Sequence, residues 1–193
     1  MKTLVLASSS PRRQELIQML GLPFEIVTND VDETVSNDLS PKQIVEELSL
    51  RKAKASTARI TDSHLIVIGS DTIVVYSEEV LGKPKDQEDA FRMLKLIEGK
   101  THQVYTGITC IDVGESRVIT RSRVTDVRMK ALSDEQIRAY IATGEPMDKA
   151  GAYAVQGIGS TIVESINGDH FNVVGMSLSL LSEMLEELNV KVL

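Results

Sequence analysis

Hydroxyls, arginines, lysines and carboxylates recur along this sequence in settings where they could grip and cleave a phosphate chain. Ser8-Ser9-Ser10-Pro11-Arg12-Arg13 follows the apolar run Leu4-Val5-Leu6-Ala7 and precedes a helical pattern at Leu16, Ile17, Met19 and Leu20. The order is strand, hydroxyl-rich turn, helix start. Ser10 stands where a cap belongs, and Pro11 suits the first helical position. The N–H groups of a first helical turn favour an anion. Arg12 and Arg13 oppose the helix dipole there, and an anionic ligand resolves the conflict because the guanidinium fork matches phosphate oxygens. A solvated helix start with two surface arginines accounts for the segment as well.

Asp71 follows the buried-looking run Leu65-Ile66-Val67-Ile68-Gly69. The pattern predicts a strand end at that point, where ligands of α/β proteins gather. A carboxylate there can bind a divalent cation or take a proton from water; a turn aspartate capping a nearby N–H is the alternative. Asp30-Val31-Asp32-Glu33-Thr34 offers further oxygen ligands for Mg²⁺, or is a solvated acidic loop. Arg51, Lys52 and Lys54 fall within one predicted helix, whose spacing cannot turn all three to one side. Lys83 sits on the stiff turn Gly82-Lys83-Pro84 and suits a phosphate or plain solvent. Asp148-Lys149-Ala150-Gly151-Ala152-Tyr153 and Gln156-Gly157 form a loop whose small residues permit close backbone approach. Gln156 can both donate and accept, as base recognition requires. His64, His102 and His170 are scattered without ligand spacing and receive no role. P-loop, dinucleotide-fold and nucleophile-elbow motifs are absent from the sequence. The remaining set suits phosphoanhydride chemistry.

The elements that must position these groups alternate. Strands are predicted at Leu4–Ala7, Phe24–Val27, Leu65–Gly69 resuming at Ile73–Tyr76, Val104–Val113, Val118–Met129 and Thr161–Ile166. Helices are predicted from the Ser40/Gln43 capping box to Arg59, with Ile44, Leu48, Ala55 and Ala58 on or near the buried side, and over Gln87–Ile97, Ser133–Thr143 and Leu178–Leu188. Asn29 to Asn37 is predicted to be a loop. Two long neighbouring strands around Gly114 suggest a hairpin, so the fold class is α/β with a mixed sheet flanked by helices. We expect one domain over residues 1–193, folded as two lobes around a central cleft.

Composition sets outer limits. The 193 residues are 42% hydrophobic and 25% charged, with a net charge of -7. That is a globular balance without the basic footprint of a nucleic-acid or anionic-membrane binder. The single cysteine, Cys110, lies in an apolar run and excludes an internal disulfide and a multi-cysteine zinc site. No apolar stretch reaches the length of a membrane span, and the first residues lack a signal-peptide pattern. A cytoplasmic location is expected.

Taken in order, Ser8-x-Ser10-Pro11-Arg12-Arg13, Arg51-Lys52-Ala53, Gly69-Ser70-Asp71-Thr72, Gly82-Lys83-Pro84, Tyr105-Thr106-Gly107, Glu145-Pro146-Met147-Asp148-Lys149-Ala150-Gly151-Ala152-Tyr153 and Gln156-Gly157 resemble the motifs of the Maf family. These are nucleoside triphosphate pyrophosphatases, also called septum formation inhibitor proteins. The resemblance spans nearly the whole chain. It implies a Maf/ITPase-like fold and cleavage between the α- and β-phosphates. It makes Asp71 the proton acceptor, and places Ser8, Arg12, Arg13, Lys52, Lys83 and the loop residue Lys149 on the substrate. Glu33, with Asp71, would serve a Mg²⁺ or Mn²⁺ ion. Arg12, Thr72 and Gln156 match the discriminating residues of the dTTP/UTP branch. The 7-methyl-GTP branch usually has tryptophan in place of that arginine, and this chain has no tryptophan. Ser70 replaces an alanine frequent in relatives. The resemblance also implies a homodimer. The alternative from another class is a non-hydrolysing nucleotide-binding regulator of cell division or septum formation.

Overall fold

The computed structural model describes residues 2–28, 30–36 and 38–193. Asn29 and Asn37, the bounds of the expected acidic loop, lie outside them. In chain order the elements are β1 (Thr3–Leu6), α1 (Pro11–Gln18), β2 (Phe24–Ile26), α2 (Pro41–Thr57), β3 (Leu65–Tyr76), β4 (Glu79–Leu81), α3 (Gln87–Ile97), β5 (Thr101–Asp112), β6 (Arg117–Met129) and α4 (Asp134–Ala142). Short 3-10 turns follow at Glu145–Asp148, Ala150–Ala152 and Gly157–Thr161, then β7 (Val163–Asn167), α5 (His170–Val174) and α6 (Leu178–Glu187). Among the described residues seven strands form a sheet of order β2-β1-β3-β5-β6-β7, with β4 on β3. The sheet is mixed, as expected. β1 runs parallel to β2 and β3, whereas β4 is antiparallel to β3 and β7 to β6. No helix of the described residues is long and apolar enough to cross a membrane.

The chain divides into two compact units. The first is Met1–Asp71, Thr106–Arg123 and Gly175–Leu193; the second is Thr72–Tyr105 and Val124–Val174. In the first unit, Val5, Ala7, Ala53, Val67 and Ile111 form a buried cluster of α2 and sheet residues. Ser40 and Gln43 close the expected capping box of α2. The buried stripe of α2 is Ile44, Val45, Leu48, Ser49, Ala53 and Ser56, not the expected one ending at Ala58, which is exposed. The small residues Ser49 and Ala53 mark the closest approach. A Cβ on Gly69 would lie 2.2 Å from the Ser49 carbonyl oxygen and 2.7 Å from the Ala53 nitrogen. A Cβ on Gly107 would lie 2.2 Å from the Val45 carbonyl oxygen. Two glycines thus let the helix backbone rest directly on β3 and β5. Gly69→Ala pits a methyl against backbone, which cannot rotate away. The expected loss is about 2–3 kcal/mol in a urea melt, and an unchanged midpoint would contradict this packing.

The structure departs from the sequence expectation at the middle of β3. Ser70-Asp71-Thr72 does not end a strand, because β3 runs unbroken over 12 residues. The polar triplet looked like a break, yet Ser70 is fully buried and its hydroxyl donates to the Gly175 carbonyl at 3.0 Å. A distant partner satisfies the hydroxyl, so the backbone need not turn.

In the second unit, α3 and α4 pack together over β3–β7 residues. Val74, Leu94, Ile97, Val127, Met129 and Ile137 are at its centre. The α4 capping box of Ser133 and Gln136 forms as expected. His102 is 2% exposed, and its Nε2 lies 2.6 Å from the Tyr153 hydroxyl oxygen. Burial pulls this imidazole from 6.5 to about 4, against a small opposing pull from the Asp126 charge. Above pH 6.5 the ring is neutral folded or unfolded and contributes no pH dependence. Below it the unfolded chain binds a proton that the folded chain refuses until about pH 4. Stability should therefore fall with pH across that window, by roughly 3 kcal/mol in total. Urea melts of His102→Phe should show a shallower slope there; an identical slope would contradict the assignment.

Candidate active site

Side-chain alternation along β3 explains the centre of the site. Gly69 and Asp71 share one face of the strand and Ser70 takes the other. Gly69 lies under the Ser49–Ala53 edge of α2, so Lys52, adjacent to Ala53, comes within reach of Asp71. The Lys52 Nζ donates to Asp71 Oδ1 at 2.5 Å and pairs with Glu33 Oε1 at 2.7 Å. Asp71 is 7% exposed. One ammonium thus bridges a nearly buried carboxylate and an exposed one.

Arg51, one residue earlier, faces elsewhere. It pairs with Glu47 at 2.8 Å and donates to the carbonyls of Asp32 at 3.0 Å and Thr34 at 2.7 Å. Those bonds fasten the acidic loop to α2, with Glu33 lying between the two carbonyls. Asp32 accepts from the Thr34 N–H at 2.8 Å and shapes the loop. Its carboxyl is held below the ordinary value by the hydrogen bonds from Thr34. Lys54 is exposed. The three basic residues divide their roles, as helical spacing requires.

Arg13 Nε donates to the Gly175 carbonyl at 2.9 Å, the same oxygen that takes the Ser70 hydroxyl. This shared acceptor ties α1 to β3 beside Asp71. Burial lowers the Arg13 guanidinium from its ordinary value, with Asp71 as the chief opposing charge, Arg12 adding to the lowering and Glu33 to the opposition. Even lowered, an arginine keeps its charge at neutral pH. Ser10 occupies the N-cap of α1 with Pro11 behind it, but contrary to expectation its side chain makes no capping bond. Instead the Ser10 N–H donates to Ser8 Oγ at 3.2 Å, which fixes the turn before the arginines.

Ser8, Arg12, Arg13, Glu33, Lys52 and Asp71 therefore belong to the first unit, while Thr72, Lys83, Lys149 and Gln156 belong to the second. Within the second unit, the Gly151 N–H donates to the Gly82 carbonyl at 3.0 Å, joining the Lys83 turn to the Lys149 loop. Lys83 and Gln156 are exposed. Lys149 Nζ contacts the Glu145 carbonyl and Asp148 Oδ1, both at 2.6 Å. Glu145 gathers the loop. Its carboxylate accepts from the Tyr140 hydroxyl at 2.8 Å, the Ile158 N–H at 3.0 Å and the Gly159 N–H at 2.8 Å. Burial works against the charged form, but these donors hold the Glu145 carboxyl below its ordinary value.

Sequence reasoning assigned no role to Arg51, Ser70, Gly175, Tyr140 or Glu145. Cys110 takes no part: it is buried, and burial pushes its thiol up to about 12. Among the described residues no group of three or more His, Cys, Asp or Glu side chains is arranged to hold a metal ion. Glu33 and Asp71 nevertheless present two carboxylates, which here share the Lys52 ammonium. That donor set fits a Mg²⁺-type ion, which takes one or two carboxylates and completes its shell with phosphate oxygens and water.

In fold the chain is similar to the Ham1 protein of Staphylococcus aureus, with a TM-score of 0.55 and 16% identity over 96% of this chain and 99% of that one. The class is thus a mixed α/β fold of the Ham1 type. Residues 3–188 match the family model described as Maf-like protein, and the chain belongs to that family. Among its relatives, the dTTP/UTP pyrophosphatase of Alkaliphilus oremlandii is 49% identical over 185 residues, covering 96% of this chain and 95% of the relative. That of Desulforamulus reducens is 46% identical over 192 residues, covering all of both.

Proposed function

We propose that this chain hydrolyses dTTP and UTP to the nucleoside monophosphate and pyrophosphate. The observation that carries the reading is the nearly buried Asp71 carboxylate, bridged by Lys52 to Glu33 and facing the charge of Arg13. A carboxylate so placed repels a bare phosphate, so a pure binder gains nothing from it unless a metal intervenes. A hydrolase uses it as a base. The family membership and the names of the relatives point the same way.

The chemistry assigned to the chain's own residues follows. Arg12, Arg13, Lys52 and Ser8 hold phosphate oxygens, and the family resemblance gives Lys83 and Lys149 a substrate-binding role. Asp71 orients a water and accepts its proton as the water oxygen bonds the α-phosphorus. The bond from that phosphorus to the bridging oxygen breaks, and pyrophosphate leaves with the bonding electrons. A bound Mg²⁺ or Mn²⁺, held by Asp71 and Glu33, would supply neutralising charge on the phosphate oxygens. Positioning and electrostatic stabilisation carry most of the rate in phosphoryl chemistry. Arg12, Thr72 and Gln156 select the pyrimidine.

The test is a panel of nucleoside triphosphates incubated with the chain and Mg²⁺ or Mn²⁺, with products identified. Formation of dTMP or UMP with pyrophosphate, lost on chelation, is expected, with 7-methyl-GTP a poor substrate. Tight nucleotide binding without turnover would favour the cell-division regulator instead. Light scattering of the full chain tests the homodimer.

A further inference from the structure

The segment carrying Gln156 is held at both ends by one pair of side chains. On its N-terminal side the Ala154 N–H donates to the Tyr140 hydroxyl oxygen at 3.1 Å. On its C-terminal side the Ile158 and Gly159 N–H groups donate to Glu145 Oε2 and Oε1 at 3.0 and 2.8 Å. The Tyr140 hydroxyl closes the set by donating to Glu145 Oε1 at 2.8 Å. Between these anchors runs an arc of Val155, Gln156 and Gly157, with the glutamine at its middle and exposed.

The clamp also crowds the glycines. A Cβ on Gly157 would fall 2.5 Å from Glu145 Oε2, and one on Gly159 would fall 2.3 Å from the Ala154 carbonyl oxygen, 2.6 Å from the Tyr140 hydroxyl and 2.9 Å from Glu145 Oε1. Gly157 further has φ +64°, in the left-handed region. The Glu145 main chain adds a tie of its own, because its carbonyl receives Lys149 Nζ. Tyr140 is 4% exposed and anchored in the core through its ring. The arc is therefore fastened to the packed interior, not left to its own loop conformation.

We propose that Glu145, braced by Tyr140, is a positioning residue that sets base selectivity by fixing the Gln156 arc. The inference rests on Gln156 reading the pyrimidine edge. Glu145 itself touches no substrate in this account. Selectivity between uracil and cytosine depends on whether a donor or an acceptor faces the base edge, so a loose glutamine amide loses it. Hydrogen bonds from N–H groups to a carboxylate are among the stronger ones, and their loss should be felt as roughly a ten-fold change or more.

The experiment measures kcat/KM for UTP and for CTP in the full chain and in Glu145→Ala, Glu145→Gln, Tyr140→Phe and Gln156→Ala. Glu145→Ala should lower the UTP:CTP ratio about ten-fold or more while the kcat for UTP changes much less. Glu145→Gln, which keeps the shape and one acceptor, should restore part of the ratio. Tyr140→Phe keeps the ring in the core, so it carries the test if Glu145→Ala does not fold. Adding Glu145→Ala to Gln156→Ala should cost nothing further, since both act through one group. Amide exchange at Ile158 and Gly159 should quicken in Glu145→Ala.

A purely structural role would lower both substrates alike and leave the ratio untouched. An unchanged ratio in Glu145→Ala and Tyr140→Phe, with the ratio lost in Gln156→Ala, overturns the proposal alone. An unchanged ratio in Gln156→Ala overturns the reading of Gln156 and the proposal with it.

Discussion

Asp71→Asn should lose roughly a hundred- to ten-thousand-fold in kcat on dTTP while nucleotide binding persists. Asparagine matches the carboxylate in size, and its amide oxygen can still accept from Lys52, whose Nζ lies 2.5 Å away. The buried packing of β3 is therefore kept. What disappears is the negative charge and the ability to accept a proton from water. Without added metal, binding should hold or tighten, because Arg13 and Lys52 then face the phosphates with one opposing charge fewer. Steady-state rates and calorimetric titration of dTTP separate the two effects. A variant that turns over at the wild-type rate would remove Asp71 from the mechanism.

Lys52→Met is the second large effect. The methionine keeps the aliphatic stem along α2 but removes the ammonium that Asp71 and Glu33 share. Two carboxylates then face each other and the phosphates without the ammonium that joins them. Losing one preorganised charge of this type costs on the order of a hundred- to a thousand-fold in kcat. Lys52→Arg should recover part of it, limited by the larger planar head. Lys54→Met is the internal control: it removes the same charge two residues along, from an exposed position, and should leave kcat within about two-fold, since a screened surface charge contributes little. Equal effects of Lys52→Met and Lys54→Met would mean that net charge, not the bridge, governs the rate.

Local patterns were enough to reveal α2, α3 and α4. The capping boxes at Ser40/Gln43 and Ser133/Gln136, and the Ala90, Met93, Leu94, Ile97 stripe, are signals carried within a single turn or two. The continuity of β3 was not legible, because Ser70 is satisfied by Gly175, 105 residues away. The hairpin strand β4 was missed because Glu79–Leu81 is too short for alternation to show. It follows Ser77 and Glu78, both at positive φ without a glycine to announce the turn.

The site was legible in kind and not in arrangement. Residue types announced phosphate chemistry, but Lys52 and Lys54 look alike in a helical pattern. Apart from the family resemblance, which named Lys52, it is the close rest of α2 on Gly69 that singles it out. Glu33, named by the resemblance, was by spacing alone one of three acids in its loop, and the Arg51 bonds to Asp32 and Thr34 that frame it lie 19 and 17 residues apart in sequence. Glu145 stood in a quoted motif without a role, since its partners at Ile158 and Gly159 become visible only when the loop closes.

Water delivered at the α-phosphorus, with Asp71 taking its proton, is the claim on which the rest turns. Hydrolysis of dTTP in ¹⁸O-labelled water traces it directly, by mass spectrometry of the two products. The label should enter dTMP and be missing from pyrophosphate, and Asp71→Asn should slow its entry in step with kcat. Label found in pyrophosphate would place the attack on the β-phosphorus and contradict the account.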